Sequence, residues 1–204
     1  MILDDWARDS VPSAGRIGCQ HGDVARLPGI LICEGLELRR WDPAFTKPMI
    51  AAIETSFAEL QQWMSWAQEM PTVDELRQVL LDGQLAFDAD RAWDYAIFET
   101  ETGQLVGGSG LHPSNRPDCF EIGYWVRSDW TCRGIATAAT SALVDAAFSD
   151  LGEITQIVIR MDQANRASAA IPRKLGFTLD HEEDRDLLAK AHTGRGYVWI
   201  QHRT

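Results

Sequence analysis

Basic residues are scarce in this chain: of 204 residues, 19 are Lys or Arg against 30 Asp or Glu, a formal net charge of −11 at pH 7. A protein that works by covering phosphate backbones needs clustered cations on one face, so nucleic acid is excluded as the main partner. Cysteine is scarce too. Cys19, Cys33, Cys119 and Cys132 are widely scattered and form no Cys-x-x-Cys pair, which argues against a zinc ribbon or a disulfide framework and predicts reduced thiols and no metal. Long apolar runs are absent, with neither a signal-peptide pattern nor a stretch of about 18 apolar residues. The expectation is a soluble cytoplasmic protein with no membrane partner. Internal repeats, low-complexity blocks and heptads are missing as well, so a monomer and a homodimer both stay open.

What is present is a hydrophobic content of 45%. That suffices for one substantial core, in a chain too short for two ordinary domains. Residues 1–30 mix Gly, Pro, Asp and Arg without periodicity and read as an N-terminal extension, partly disordered; one domain is expected over residues 31–204.

"GILICEGLELRRW" alternates apolar residues as one strand or two short ones do. From Phe45 to Ala67 the residues Met49, Ile50, Ile53, Phe57, Leu60, Trp63 and Met64 recur at helical spacing. Pro71 ends that helix, and "TVDE" offers a capping box, Thr72 with Glu75, for a second helix running to about Phe87. "WDYAIFET" and "LVGGSGLHP" read as strands joined by the turn "ETGQ", and "CFEIGYWV" as a third. A helix from about Gly134 to Phe148, the β-branched strand "ITQIVIRM", a short helix in "NRASAAIPRKLGF" closed by Gly176, and strands around "FTLDHE" and "GYVWIQHR" complete the chain. The order predicts an α+β fold with a single mixed sheet.

The segment "TCRGIAT" between a strand and a helix puts Gly134 and Ala136 at a helix N-terminus, where backbone N–H groups lack internal partners and the helix dipole favours anions. Tight packing of a strand-to-helix turn is the competing explanation. The Gly-Lys-Ser/Thr ending of a nucleotide-triphosphate loop and the second glycine pair of a dinucleotide fold are both lacking.

Taken with "LELRRW", "LQQWMSWA", "VGGSGLHP", "EIGYWV", "RGIATAA" and "NRASAAIPRKLGF" in that order, from about Leu36 to His202, the chain resembles the GNAT superfamily of acetyl-CoA-dependent N-acetyltransferases, and within it the RimJ/RimL-like branch. The resemblance implies a mostly antiparallel sheet with a splayed strand pair, and acetyl-CoA as co-substrate. It implies that N–H groups of Arg133, Gly134, Ile135, Ala136 and Thr137 hold the pyrophosphate, and that the pantetheine arm pairs with Val126 and reaches Asn165 and Ser168. Asn165 is equally suited to be a helix cap. Arg127, Arg166, Arg173 and Lys174 are near enough in sequence to serve the 3′-phosphate. The chain departs from the family at Thr131, where a Gln or Arg is usual, and at Pro172, where many relatives keep a tyrosine.

Acetyl transfer needs a base for the amine, a donor to the oxyanion and a proton for the thiolate. By the resemblance Glu121 is the base and Ser168 the hydrogen-bond donor to sulfur, while Trp63, Trp66 and His112 flank the acceptor. The acceptor is a primary amine, either a protein N-terminus or a small molecule such as an amino acid, aminoacyl nucleotide or antibiotic. The alternative is a non-catalytic acyl-CoA-binding module.

Overall fold

The computed structural model describes residues 26–114 and 116–203. Cys19 and residues 1–25 of the expected extension lie outside the described residues. Packing starts before the expected boundary at residue 31: Leu27 is buried in the core, and the Pro28 carbonyl accepts a 2.8 Å hydrogen bond from the Tyr95 hydroxyl. Composition alone carried no sign of either contact.

Among the described residues, eight strands form one sheet in the order β1-β2-β3-β4-β5-β6-β8-β7. They are β1 (Ile30–Cys33), β2 (Leu36–Arg40), β3 (Trp93–Glu99), β4 (Leu105–Pro113), β5 (Cys119–Val126), β6 (Gln156–Asp162), β7 (Thr178–Asp184) and β8 (Arg195–His202). Every pairing is antiparallel except β5 with β6. The predicted α+β class with one mixed, mostly antiparallel sheet is the observed one.

Helices cover both faces. α1 (Thr46–Trp63) and α2 (Val73–Asp88) pack one side, where Met49, Ile53, Leu60, Leu76 and Leu80 meet Ala96 and Phe98 of β3. On the other side, α3 (Ile135–Asp150) and α4 (Arg166–Lys174) set Ala139, Leu143 and Ala169 against Leu38, Ile97, Val106, Leu111 and Ile122. These two main cores, one per face, follow from the side-chain alternation of the central strands, and a small third cluster joins Cys119, Val158 and Val198. Among the described residues no helix is long and apolar enough to cross a membrane.

The first helical stripe stops at Trp63 and resumes as a short 3₁₀ turn, Ser65–Ala67, so the stretch from Phe45 is broken once. The capping box of α2 is complete: the Thr72 hydroxyl accepts from Glu75 N (3.3 Å), and Glu75 Oε2 accepts from Thr72 N (2.9 Å). Thr72→Ala removes the acceptor for the Glu75 N–H. Its expected cost is about 1 kcal/mol, seen as a melting temperature lower by roughly 2–4 °C in a calorimetric scan.

Candidate active site

The parallel pairing of β5 with β6 ends early. Cys119, Phe120 and Glu121 pair with Gln156, Ile157 and Val158, and beyond them the two strands separate, although β5 runs on to Val126 and β6 to Asp162. The free edge of β5 carries unused main-chain groups. Arg127 N–H donates to Val106 O (2.8 Å), which makes the adjacent Gly107–Val126 pair a non-hydrogen-bonded one. In such a pair the N–H and C=O point away from the partner strand, so those of Val126, and of Tyr124 two residues earlier, face the gap.

An open cavity of about 520 Å³ lies at this gap, lined by Glu121, Tyr124, Asn165 and Ser168 and also by Trp63 and Trp66. Five of the six residues just named were expected at the site. Tyr124 was not. Its hydroxyl reaches across from β5 to α4, 3.0 Å from Ser168 Oγ and 3.2 Å from the Ser168 carbonyl. Burial pushes the Tyr124 phenol up to about 12 against the opposing effect of its hydrogen bond with Ser168, so it remains protonated at neutral pH. Asn165 lines the cavity and also caps α4, its Oδ1 accepting from Ser168 N (3.0 Å).

Glu121 sits where the two strands part, ion-paired with Arg160 of β6, whose Nε also lies 3.7 Å from Glu183. Desolvation raises the Glu121 carboxyl above the ordinary carboxylate range, and the Arg160 charge opposes it only in part. His112, expected to flank the acceptor, is buried behind the lining: its Nε2 is 2.9 Å from Asp94 Oδ1, and it is Asp94 that faces the cavity.

The floor is bare backbone. Asp94, Gly110 and Gly123 stand in register across β3, β4 and β5 on one face, as do Ala96, Gly108 and Trp125 one step along. A Cβ on Gly108 would come within 2.7 Å of Trp125 Nε1, so this glycine lets the Trp125 ring lie across the sheet. Trp66 then packs edge-on against it, centroids 6.2 Å apart. Counting alternate positions in "VGGSGL" and "EIGYW" would have found this strip.

At the turn into α3 the backbone takes positive φ at Cys132 (61°) and Gly134 (81°). Nothing lies within 4 Å of a Cβ built on Gly134, so the glycine answers the backbone angle while the space before the helix stays open. The N–H groups of Ile135, Ala136 and Thr137 belong to the first turn and have no acceptor within the helix. Thr131 donates to Ser128 O (2.9 Å), and the Arg133 guanidinium lies over the Trp130 ring, 4.4 Å from its centroid. Of the cations expected near the 3′-phosphate, Arg127 is held by Asp129 (2.6 Å) and by Gln104 Oε1 (3.0 Å); Arg166, Arg173 and Lys174 are exposed on α4.

Residues 36–178 match the family described as Acetyltransferase (GNAT) domain. The chain belongs to the GNAT acetyltransferase family. It is an acetyl-CoA-dependent N-acetyltransferase, as the resemblance implied. A ribosomal-protein-serine acetyltransferase of Escherichia coli (strain K12) is 26% identical over 152 residues, 74% of this chain and 83% of that protein. The protein YdaF of Bacillus subtilis (strain 168) is 27% identical over 161 residues, 75% of this chain and 82% of its own length. Among solved structures, RimL, a ribosomal L7/L12 α-N-protein acetyltransferase in complex with coenzyme A, superposes with a TM-score of 0.77 at 23% identity, covering 85% of this chain and 97% of RimL. The microcin C7 self-immunity acetyltransferase MccE, in complex with acetyl-CoA and AMP, gives 0.75 at 16% identity, with 83% of this chain and 93% of that one covered.

Proposed function

We propose that this GNAT domain transfers acetyl directly from acetyl-CoA to a primary amine within a ternary complex, with the chemistry at the β5–β6 gap. The observation that carries this reading is the meeting of Glu121, Ser168 and the unpaired edge of β5 in one cavity. The pantetheine arm lies along that edge, taking the main-chain groups of Val126 as a further strand does, with Asn165 at its side. The pyrophosphate sits on the N–H groups from Arg133 to Thr137.

The amine arrives as an ammonium and gives its first proton to Glu121, directly or through a water. Its lone pair attacks the thioester carbonyl carbon, and the oxyanion that forms is held by a main-chain N–H near Val126. The C–S bond then breaks. The oxyanion collapses to the amide carbonyl, and the second nitrogen proton passes to the departing sulfur, directly or through a water, while the Ser168 hydroxyl donates a hydrogen bond to that sulfur. Tyr124 is a positioning residue: as a neutral phenol it donates to Ser168 and turns that hydroxyl toward the sulfur.

The relatives' names point to protein N-terminal amines as acceptors, and the cytoplasm, where ribosomal proteins are made, is the matching compartment. Transfer from isotopically labelled acetyl-CoA in a cell extract, resolved by mass spectrometry into protein and small-molecule fractions, tests the reading. Label on a free amine is the expected result. Acetyl-CoA binding with no amine labelled, in the extract or among purified amines, would favour the binding-module alternative.

A further inference from the structure

Six carboxylates line the cavity, against two guanidinium groups. Most are already engaged. Glu121 is paired with Arg160, Asp162 takes Thr193 N (2.7 Å) and Ala164 N (2.8 Å), and Asp184 is held by Arg195 (2.6 Å). Asp94 differs. It is 5% exposed, and its partner is an imidazole, His112 Nε2 at 2.9 Å from Oδ1, in place of a guanidinium or main-chain N–H. It stands on the same face as Glu121, in register with Gly110 and Gly123, and His112, the cross-strand neighbour of Glu121, reaches it from β4.

The walls beside it are apolar. Trp41, Met49, Leu76, Met64, Trp63 and Trp66 close the cavity above that strip. Trp63 is fixed from outside, because the connection between β7 and β8 is stitched to the end of α1: Lys190 N donates to Gln61 O (3.2 Å), Ala191 N to Gln62 O (3.0 Å), and His192 Nε2 lies 3.1 Å from Trp63 O. A preorganised apolar wall loses little on binding and rewards a ligand that fills it.

Resting on the transferase reading above, we infer that the acceptor is a primary ammonium carried on an uncharged apolar body of aromatic size, with Asp94 drawing the cation into the cavity and the Trp63–Trp66 wall holding the body while the nitrogen is delivered to Glu121. A carboxylate set low in the cavity lining favours a cationic ligand, and an ammonium supplies one. The tryptophan faces favour the same cation and bury the apolar group beside it. The surplus of carboxylates repels an acceptor bearing its own carboxylate near the amine, which disfavours free amino acids. A small polar N-terminal residue such as serine leaves the wall unfilled.

Purified full-length protein is assayed by release of the CoA thiol with 2-phenylethylamine, a phenylalanine-initiated tripeptide amide, a serine-initiated tripeptide amide and free phenylalanine. The expected kcat/KM for either or both of the first two exceeds that of the last two by roughly ten- to a hundredfold. Preference for the amine over the phenylalanine peptide identifies a small-molecule source, and the reverse a peptide terminus. Asp94→Asn raises KM for the amine roughly tenfold while kcat changes less and acetyl-CoA affinity stays unchanged. Because Asp94 is buried, Trp63→Ala and Trp66→Ala provide an independent arm: each brings the phenyl-to-serine ratio toward one. Serine peptide or free phenylalanine as the best acceptor, or a ratio unmoved in both tryptophan variants, overturns the inference and leaves the transferase reading standing. Acetyl-CoA binding without turnover of any amine overturns that reading and the inference with it.

Discussion

Gly134→Glu is expected to raise the dissociation constant for acetyl-CoA by roughly a hundredfold or more, measured by calorimetric titration. Two effects act together. Residue 134 holds φ at 81°, a left-handed conformation that costs a non-glycine residue about 1–2 kcal/mol. The new side chain also meets no steric stop within 4 Å and extends a carboxylate into the space before α3. There it occupies the positive end of the helix and repels the phosphates. Gly134→Ala separates the two effects, since it imposes the strain without the charge. Alanine is expected to lower the melting temperature by a few degrees and to weaken acetyl-CoA binding only a few-fold. Binding by the glutamate variant equal to that of the native protein would remove the phosphates from this turn.

The backbone of the turn was readable in advance because its pattern is local: a glycine at a position of positive φ, small residues after it, and a strand before it. The Thr72–Glu75 capping box was readable for the same reason, both partners lying within one helical turn. The contacts that complete the site are long-range. Tyr124 and Ser168 are 44 residues apart, Glu121 and Arg160 are 39 apart, and Lys190 and Gln61 are 129 apart. Each depends on where strands separate and on β8 inserting between β6 and β7. Alternation places a residue on a face but does not say which strand adjoins it. His112 shows the limit: its segment was identified as flanking the acceptor, yet it is Asp94 of β3 that lines the cavity, with the imidazole bonded to it. Pro172 stands where many relatives keep a tyrosine, and a different tyrosine, from the adjoining strand, reaches the same serine.

Glu121→Gln is expected to lower kcat at pH 7 by about a hundredfold, within the range typical for removing a general base, while the dissociation constant for acetyl-CoA stays within about twofold. The loss is expected to be pH-dependent in a direction the site dictates. Burial raises the Glu121 carboxyl, so the native enzyme loses activity as pH falls through a window above that of an ordinary carboxylate, when the base takes up a proton. The glutamine variant has no such group to titrate, and its acid limb follows the free-amine fraction alone. At high pH, where the amine is already neutral without help, native and variant rates converge. A structural defect does not produce that convergence. Loss of the Arg160 partner leaves the guanidinium 3.7 Å from Glu183, so a merely misfolded variant would show the same deficit at every pH and a weakened hold on acetyl-CoA. A native acid limb retained in Glu121→Gln would assign the base elsewhere, and Asp94, the other carboxylate on the glycine strip, is the group then to be tested.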